Sequence, residues 1–282
     1  MIPVTKHWID MRADDLYSSV KCKVPPVDLY ALARSRHVKR VGVRLMVSLG
    51  ALVPVHQGYE VFLQGTEAQE LDIQASEPPG ELTARQRFTL AHEIAHTFFY
   101  KGMDQVPVPT FRVKTRLEYR ELEEICDRAA KRTLVPTRLL RTQVKAALGE
   151  SDQIDANFVR KMVSLFNVSY EVMLDRLQAA EPENLCARCI LLAREEREGG
   201  PKVKACYMGL DLLSVFPPIQ RNKSITNWFS GFPQAILERD GIRECSVLRK
   251  GRELLFRKTP LRKAGDFLLQ IDDLGRRTPS SK

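Results

Sequence analysis

His92, Glu93 and His96 stand within TARQRFTLAHEIAHTFFY, residues 83–100. Histidines four residues apart lie one turn apart on the same face of a helix, so both rings can reach a single ion. The glutamate between them is close enough to act on a water bound to that ion. This spacing suits a zinc hydrolase, in which the metal lowers the pKa of its water and the carboxylate takes the proton. The chain has five histidines, and two of them stand here at ligand spacing. The plainer reading is a pair of helix histidines satisfied by ordinary hydrogen bonds. The capped amphipathic helix that surrounds the motif argues against it.

That helix is announced by its neighbours. Pro79 and Gly80 break what precedes it, and Thr83 with Gln86 three residues later fits a capping box. Phe88, Ala91, Ile94, Ala95 and Phe98 make an apolar face, and the pattern predicts a helix terminated by Gly102.

Two histidines leave a zinc site short of a ligand, since a catalytic zinc usually holds three protein ligands and one water. The candidates lie in RLEYRELEEICDRAAKRTLVP, where the spacing predicts a second helix from about Arg116 to Val135, ended by Pro136. Its apolar stripe runs through Tyr119, Leu122, Cys126, Ala129, Ala130 and Thr133. Glu121 and Glu124 point away from the stripe, whereas Glu118 and Glu123 lie at its margins. Asp127 decides between these two. It follows Glu123 by four residues, so Glu123 can bind the metal while Asp127 accepts a hydrogen bond from a liganding histidine. The alternative is an acidic face of solvated carboxylates.

RFTLAHEIAH followed by EEICDRAAKRTLVP resembles the ImmA/IrrE family of bacterial zinc peptidases. The resemblance spans roughly Val27 to Pro136. It implies a minimal gluzincin-like core with His92, His96 and Glu123 as metal ligands and Glu93 as general base. It also implies a substrate, since members relieve repression by cleaving or otherwise inactivating helix-turn-helix repressors. Ala129 departs from the family pattern, which commonly has an aromatic there. Tyr119, one turn before Glu123, is a candidate for stabilising the oxyanion. The ligand set suits Zn²⁺ and also accepts Mn²⁺ or Fe²⁺.

Around this core the reading is coarser. The first 24 residues carry no expectation. Val27 to Val38 has helical spacing, and Arg34, Arg36, His37, Lys39 and Arg40 form the densest basic patch, either a solvated helix end or a phosphate-contacting surface. Val41 to Ala75 reads as strands, with a hairpin turning at Gln57-Gly58 and a short strand from Leu71 to Gln74. His56 reads as a surface residue. A strand just before the metal helix would be placed to pair with an extended peptide.

Ile154 to Leu177 reads as two short helices parted at Asn167-Val168-Ser169, a helix-turn-helix-like layout, with Ser169 a natural N-cap. Glu171 and Asp175 beside a lone Arg176 match phosphate poorly, which favours packing over DNA contact. Pro182 to Glu198 reads as a helix containing the CxxC pair Cys186 and Cys189, two buried helix cysteines rather than a metal site. The last third reads as mixed α/β. Strands are expected at Val203 to Met208, Glu244 to Leu248, Glu253 to Lys258 and Phe267 to Ile271, and a short helix at Pro233 to Arg239. The order of core, helix-turn-helix and extra domain is similar to that of radiation-response members of the family, which implies a GAF-like sensor at the end.

The expected organisation is therefore α+β and multidomain. A zinc metallopeptidase-like domain fills 1–150, a helix-turn-helix-like segment 151–181, and a GAF-like α/β domain 182–282. Apolar residues at 44% and charged ones at 28% are ordinary for a soluble globular protein. No apolar segment suggests a signal peptide or a membrane span, so a cytoplasmic protein without a membrane partner is expected. A net charge of +9 makes nucleic acid a possible partner. The expected function is zinc-dependent, site-specific cleavage of a helix-turn-helix repressor in a DNA-damage, radiation or desiccation response. The alternatives are a DNA-binding regulator or a non-proteolytic anti-repressor with a structural or vestigial metal site. An unknown small molecule could bind the last domain.

Overall fold

Ile9, Ala13 and Leu16 recur at helical spacing and form the buried side of α1 (Lys6–Ser19), in a segment that carried no expectation. Thr5 caps this helix by accepting a hydrogen bond from the Trp8 N–H. The computed structural model describes residues 5–20, 22–65, 72–74, 81–148, 154–180, 188–194, 201–208, 216, 219, 221–228, 233–237, 244–249, 252–261 and 266–276. Two compact units divide the chain: Met1–Leu139 with Ser164–Ser169, and Leu140–Val163 with Tyr170–Lys282.

In the first unit, α2 (Leu29–Ser35) begins at Asp28, whose carboxylate accepts from the Tyr30 and Ala31 N–H groups. The basic patch that follows is partly structural. Arg36 donates to the Thr97 hydroxyl and carbonyl, each at 2.9 Å, and Lys39 donates to the His56 carbonyl. The sheet is built from β1 (Val38–Arg44), β2 (Gly50–Val55), β3 (Gly58–Gln64) and β4 (Asp72–Gln74), in the order β2-β3-β1-β4. β1 and β3 run parallel, and the other pairs are antiparallel. The hairpin turns at Gln57-Gly58 as expected, with Gln57 in the left-handed region at φ 55.

The expectation for the peptide-pairing strand changes. β4, which precedes the histidine helix in sequence, pairs with β1 at the far edge, while α3 (Ala84–His96) packs against β2 and β3. Thr83 and Gln86 form the expected capping box. Pro79 and Gly80 lie outside the described residues.

The helix ends earlier than expected, at His96. A 3-10 turn, Thr97–Phe99, leads into β5 (Tyr100–Lys101), which pairs with β6 (Val108–Pro109). Two contacts impose that break. Arg36 holds the Thr97 hydroxyl and carbonyl, and Phe99 turns in to meet Trp8 and Phe111, with ring centroids 5.8 and 5.7 Å away. Gly102, expected to end the helix, sits beyond β5 at φ +82.

α4 (Arg116–Leu134) has Thr115 as its N-cap and stops before Pro136, as its spacing requires. Cys126, Ala129, Ala130 and Thr133 are buried as expected, but Tyr119 is 56% exposed and stands outside the stripe. Glu118 accepts from the Lys114 N–H at the start of the helix. Ala129 lies in one buried cluster with Ile9, Ala95, Phe99 and Cys126, and its small side chain lets α1 approach. Two guanidinium forks tie α1 to α4: Arg128 to Asp10 and Arg132 to Asp14, each with bonds of 2.8 and 2.6 Å. α5 (Thr137–Leu148), for which no expectation was drawn, follows Pro136.

The two short helices expected around Asn167 are α6 (Ala156–Phe166) and α7 (Tyr170–Ala179), with Asn167 at φ 49. In the second unit α7 buries Val172, Met173, Leu174, Arg176 and Leu177, and Arg221 ion-pairs with its Glu171 and Asp175.

The helix expected from Pro182 to Glu198 is corrected. Its described part is the strand β7 (Arg188–Arg194), where Cys189 to Ala193 are all buried. An unbroken apolar run of this kind is compatible with a strand covered on both faces as well as with a buried helix segment. Cys186 lies outside the described residues. β8 (Lys202–Met208), β9 (Glu244–Arg249), β10 (Arg252–Pro260) and β11 (Asp266–Arg276) complete an antiparallel sheet ordered β8-β7-β11-β10-β9. Of the helix expected at 233–239, the described residues form a 3-10 turn, Gln234–Leu237, and 238–239 lie outside them. No helix among the described residues is long and apolar enough to cross a membrane.

Ile9→Ala empties the centre of the α1–α3–α4 cluster and should cost the first unit about 2–5 kcal/mol, measured by chemical denaturation.

Candidate metal centre

α3 and α4 pack against each other, and their facing sides bring four of the expected residues together. His92 and His96, one turn apart on α3, turn their Nε2 atoms to within 3.0 Å of one another. From α4, Glu123 brings Oε2 to 3.2 Å from His92 Nε2 and Oε1 to 3.5 Å from His96 Nε2. Asp127, the next turn of α4, accepts a 2.8 Å hydrogen bond from His92 Nδ1. That bond fixes the ring so that the Nε2 lone pair faces the other donors.

The donor set fits a divalent ion. One ligand atom from each of His92, His96 and Glu123 can be chosen so that all lie within 4.8 Å of one another. A tetrahedral ion with bonds of about 2.0–2.2 Å separates its ligand atoms by roughly 3.3–3.6 Å. The Nε2 atoms stand 3.0 Å apart, and Glu123 sets one oxygen 3.2 Å from His92 and the other 3.5 Å from His96, so a modest turn of the carboxylate brings a single oxygen towards that spacing from both rings. Two imidazoles and a carboxylate are the ligand chemistry of zinc, with Mn²⁺ and Fe²⁺ also accepted.

The electrostatics follow from crowding ionisable groups in a half-buried place. Burial pushes His92 down, but hydrogen bonds to Asp127 and Glu123 and their charges outweigh it and carry the ring up to about 9. Burial, joined by the charge on His92, pushes His96 well below its ordinary value. The hydrogen bond from His92 holds Glu123 low, as an anion. Burial raises Glu93 to about 7, with His92 opposing and Glu123 adding to the rise.

These residues line one cleft of about 570 Å³, together with Ser48, Leu49, Gly50, Leu52, Phe88, Tyr100 and Tyr119. Tyr119 stands at its mouth, hydrogen-bonded to Glu123, whose charge raises the phenol. Tyr100 lines the same cleft, its phenol raised by burial and by the Glu93 charge.

Three features escaped the reading of the sequence. Tyr100 falls within the expected helix, and the structure sets it in β5. Cys126 belongs by its spacing to the core stripe, and its sulfur also lies 3.5 Å from His96 Nδ1. Gly50 starts β2 at the point where a Cβ would strike the Thr89 methyl and lie 2.5 Å from Glu93 Oε1. A glycine inside a strand pattern is a signal for such close approach, and here it was available.

The register of β2 shows which way its backbone faces. Leu49 carbonyl accepts from Gln64 N–H, so in this antiparallel pair Leu49, Ala51 and Val53 face β3. Gly50, Leu52 and Pro54 turn their backbone groups outward, on a strand at the sheet edge among the described residues. Gly50 and Leu52 line the cleft. Pro54 has no N–H to offer.

A histidine pair on one helix, a glutamate from a second and a buried carboxylate beneath an edge strand define a metallopeptidase-like domain. Residues 81–178 match the model of the IrrE N-terminal-like domain of the M78 peptidases. No curated protein matches the chain. In fold, the chain is similar to a Mycobacterium tuberculosis transcriptional regulator, with a TM-score of 0.50 and 13% identity over 95% of this chain and 88% of that one.

Gly50→Ala overpacks the contact with Thr89 and Glu93 and should destabilise the first unit by about 1–3 kcal/mol, read in the same denaturation assay. His92 must lose its proton to serve as a ligand. Zn²⁺ affinity should therefore rise about tenfold per pH unit between pH 6 and 8, with one proton released per ion, and fall as pH drops. Calorimetry in buffers of different ionisation enthalpy measures both.

Proposed function

We propose that this chain is a cytoplasmic, zinc-dependent, site-specific endopeptidase that cleaves and inactivates a helix-turn-helix transcriptional repressor. The observation that carries the reading is the convergence of His92, His96 and Glu123 beside the buried carboxylate of Glu93, in one open cleft. His92, His96 and Glu123 would hold the ion, and Asp127 would orient His92. Bound there, the ion would acidify a water and polarise the scissile carbonyl.

The chain's own groups supply the rest. Glu93, raised to about 7, can accept the proton of the attacking water near neutral pH and deliver it to the leaving amine. The outward N–H and C=O groups of Gly50 and Leu52 would pair with an extended substrate backbone and seat it over Glu93. Tyr119 and Tyr100, at different positions in the cleft, are the candidates to stabilise the oxyanion. Repressors as substrates, and release of a DNA-damage, radiation or desiccation response, come from the family resemblance. We read the antiparallel sheet of the second unit as a GAF-like sensor for a small molecule.

A second reading, a DNA-binding regulator with a structural metal site, draws on the net charge of +9. The burial of α7 and the Arg221 ion pairs over its acidic residues weigh against that helix as the DNA-reading element.

The test incubates the purified chain with candidate helix-turn-helix repressors, with and without added Zn²⁺, and reads intact masses. Zinc-dependent cleavage at one bond is expected. Glu93→Gln should retain Zn²⁺ and lose at least about 10²–10⁴-fold in cleavage rate. Undiminished cleavage would remove Glu93 from the mechanism, and intact repressor held in a stable complex would make the chain an anti-repressor.

A further inference from the structure

The two histidines receive different support. His92 has a carboxylate on its outer nitrogen, while the outer nitrogen of His96 meets a thiol. Cys126 Sγ lies 3.5 Å from His96 Nδ1, within reach of a sulfur hydrogen bond. Cys126 precedes Asp127 on α4, so adjacent residues of one helix meet the outer nitrogens of both rings. The imidazole stands between the sulfur and the Nε2 side, where His92 and Glu123 converge, so the thiol faces the back of the ring.

Cys126 is fully buried, in the cluster with Ile9, Ala95 and Ala129. For His96 to bind an ion through Nε2, its Nδ1 must carry the proton. The sulfur then has to be the acceptor.

We propose that Cys126 is the positioning residue for His96: its sulfur accepts the Nδ1–H and so fixes the tautomer and ring rotation that aim Nε2 at His92 and Glu123. This rests on the reading of His92, His96 and Glu123 as metal ligands. Thiol sulfur is a weak acceptor, so His96 is the more loosely held ligand of the two, and Cys126 accounts for a smaller share of metal affinity than Asp127 does.

Three variants of the full chain separate this role from packing. Cys126→Val fills the space without an acceptor, Cys126→Ala removes both, and Cys126→Ser keeps an acceptor in a smaller side chain. Zn²⁺ affinity is measured by competition with a chelator of known strength, and the His96 Nδ1–H is followed by long-range ¹H–¹⁵N NMR. If the sulfur positions the ring, Val and Ala both lose about 10-fold in affinity, the low end of the range for such partners. Both also lose the protected Nδ1–H, while Ser keeps it and falls between them and the parent. If Cys126 only fills space, Val binds like the parent and Ala alone is weakened, which overturns the proposal. Parent-like affinity and an unchanged Nδ1–H in both Val and Ala overturn it too. A parent chain that binds no Zn²⁺ sinks the metal-site reading itself, a result distinguishable from either.

Discussion

The site depends on how closely α3 can approach α4. The buried residues where they meet are small: Ala95 on one helix, Cys126 and Ala129 on the other. Both helices carry their polar groups at one-turn spacing, His92 with His96 and Glu123 with Asp127. The two repeats mesh only in one alignment. Sliding α4 by a turn, about 5.4 Å, would leave Asp127 opposite the Nε2 atoms and His92 without its outer partner. Larger side chains at the crossing would hold the helices too far apart for any of these contacts. The guanidinium forks of Arg128 and Arg132 onto α1 act on the same alignment, because they pin α4 from its other side.

The helices of this centre were legible because local rules govern them. Thr83 and Gln86 begin α3, Pro136 ends α4, and the spacing of His92, His96, Glu123 and Asp127 follows from 3.6 residues per turn. The end of α3 was not legible. Arg36, sixty-one residues upstream of Thr97, holds the residue where the helix breaks, and a pairing at that distance leaves no local trace. α1 was missed for a related reason: its apolar side is short, and its stability comes from Ile9 and from Asp10 and Asp14 meeting α4.

β7 was misread for the opposite reason. Cys189 to Ala193 are apolar without alternation, and a run of five fits a helix segment or a doubly covered strand equally well. Only the neighbours β8 and β11 decide it. The cleft shows the same limit. Its floor on α3 and α4 follows from spacing, but its wall at Gly50 and Leu52 follows from the order of the sheet, which puts β2 rather than β4 beside the histidine helix.

Pro54 gives that wall a further property. An exposed strand edge accepts any extended chain, including the same strand of a second molecule. On β2 the outward N–H groups stop at Leu52, because the next outward position is a proline. The ladder available to a visitor is thus two residues deep and lies against the cleft. A short extended segment can be held there, but long edge-to-edge growth between copies finds no continuing register. Among the described residues, one proline therefore limits how far a strand edge beside the cleft can be extended by a second chain.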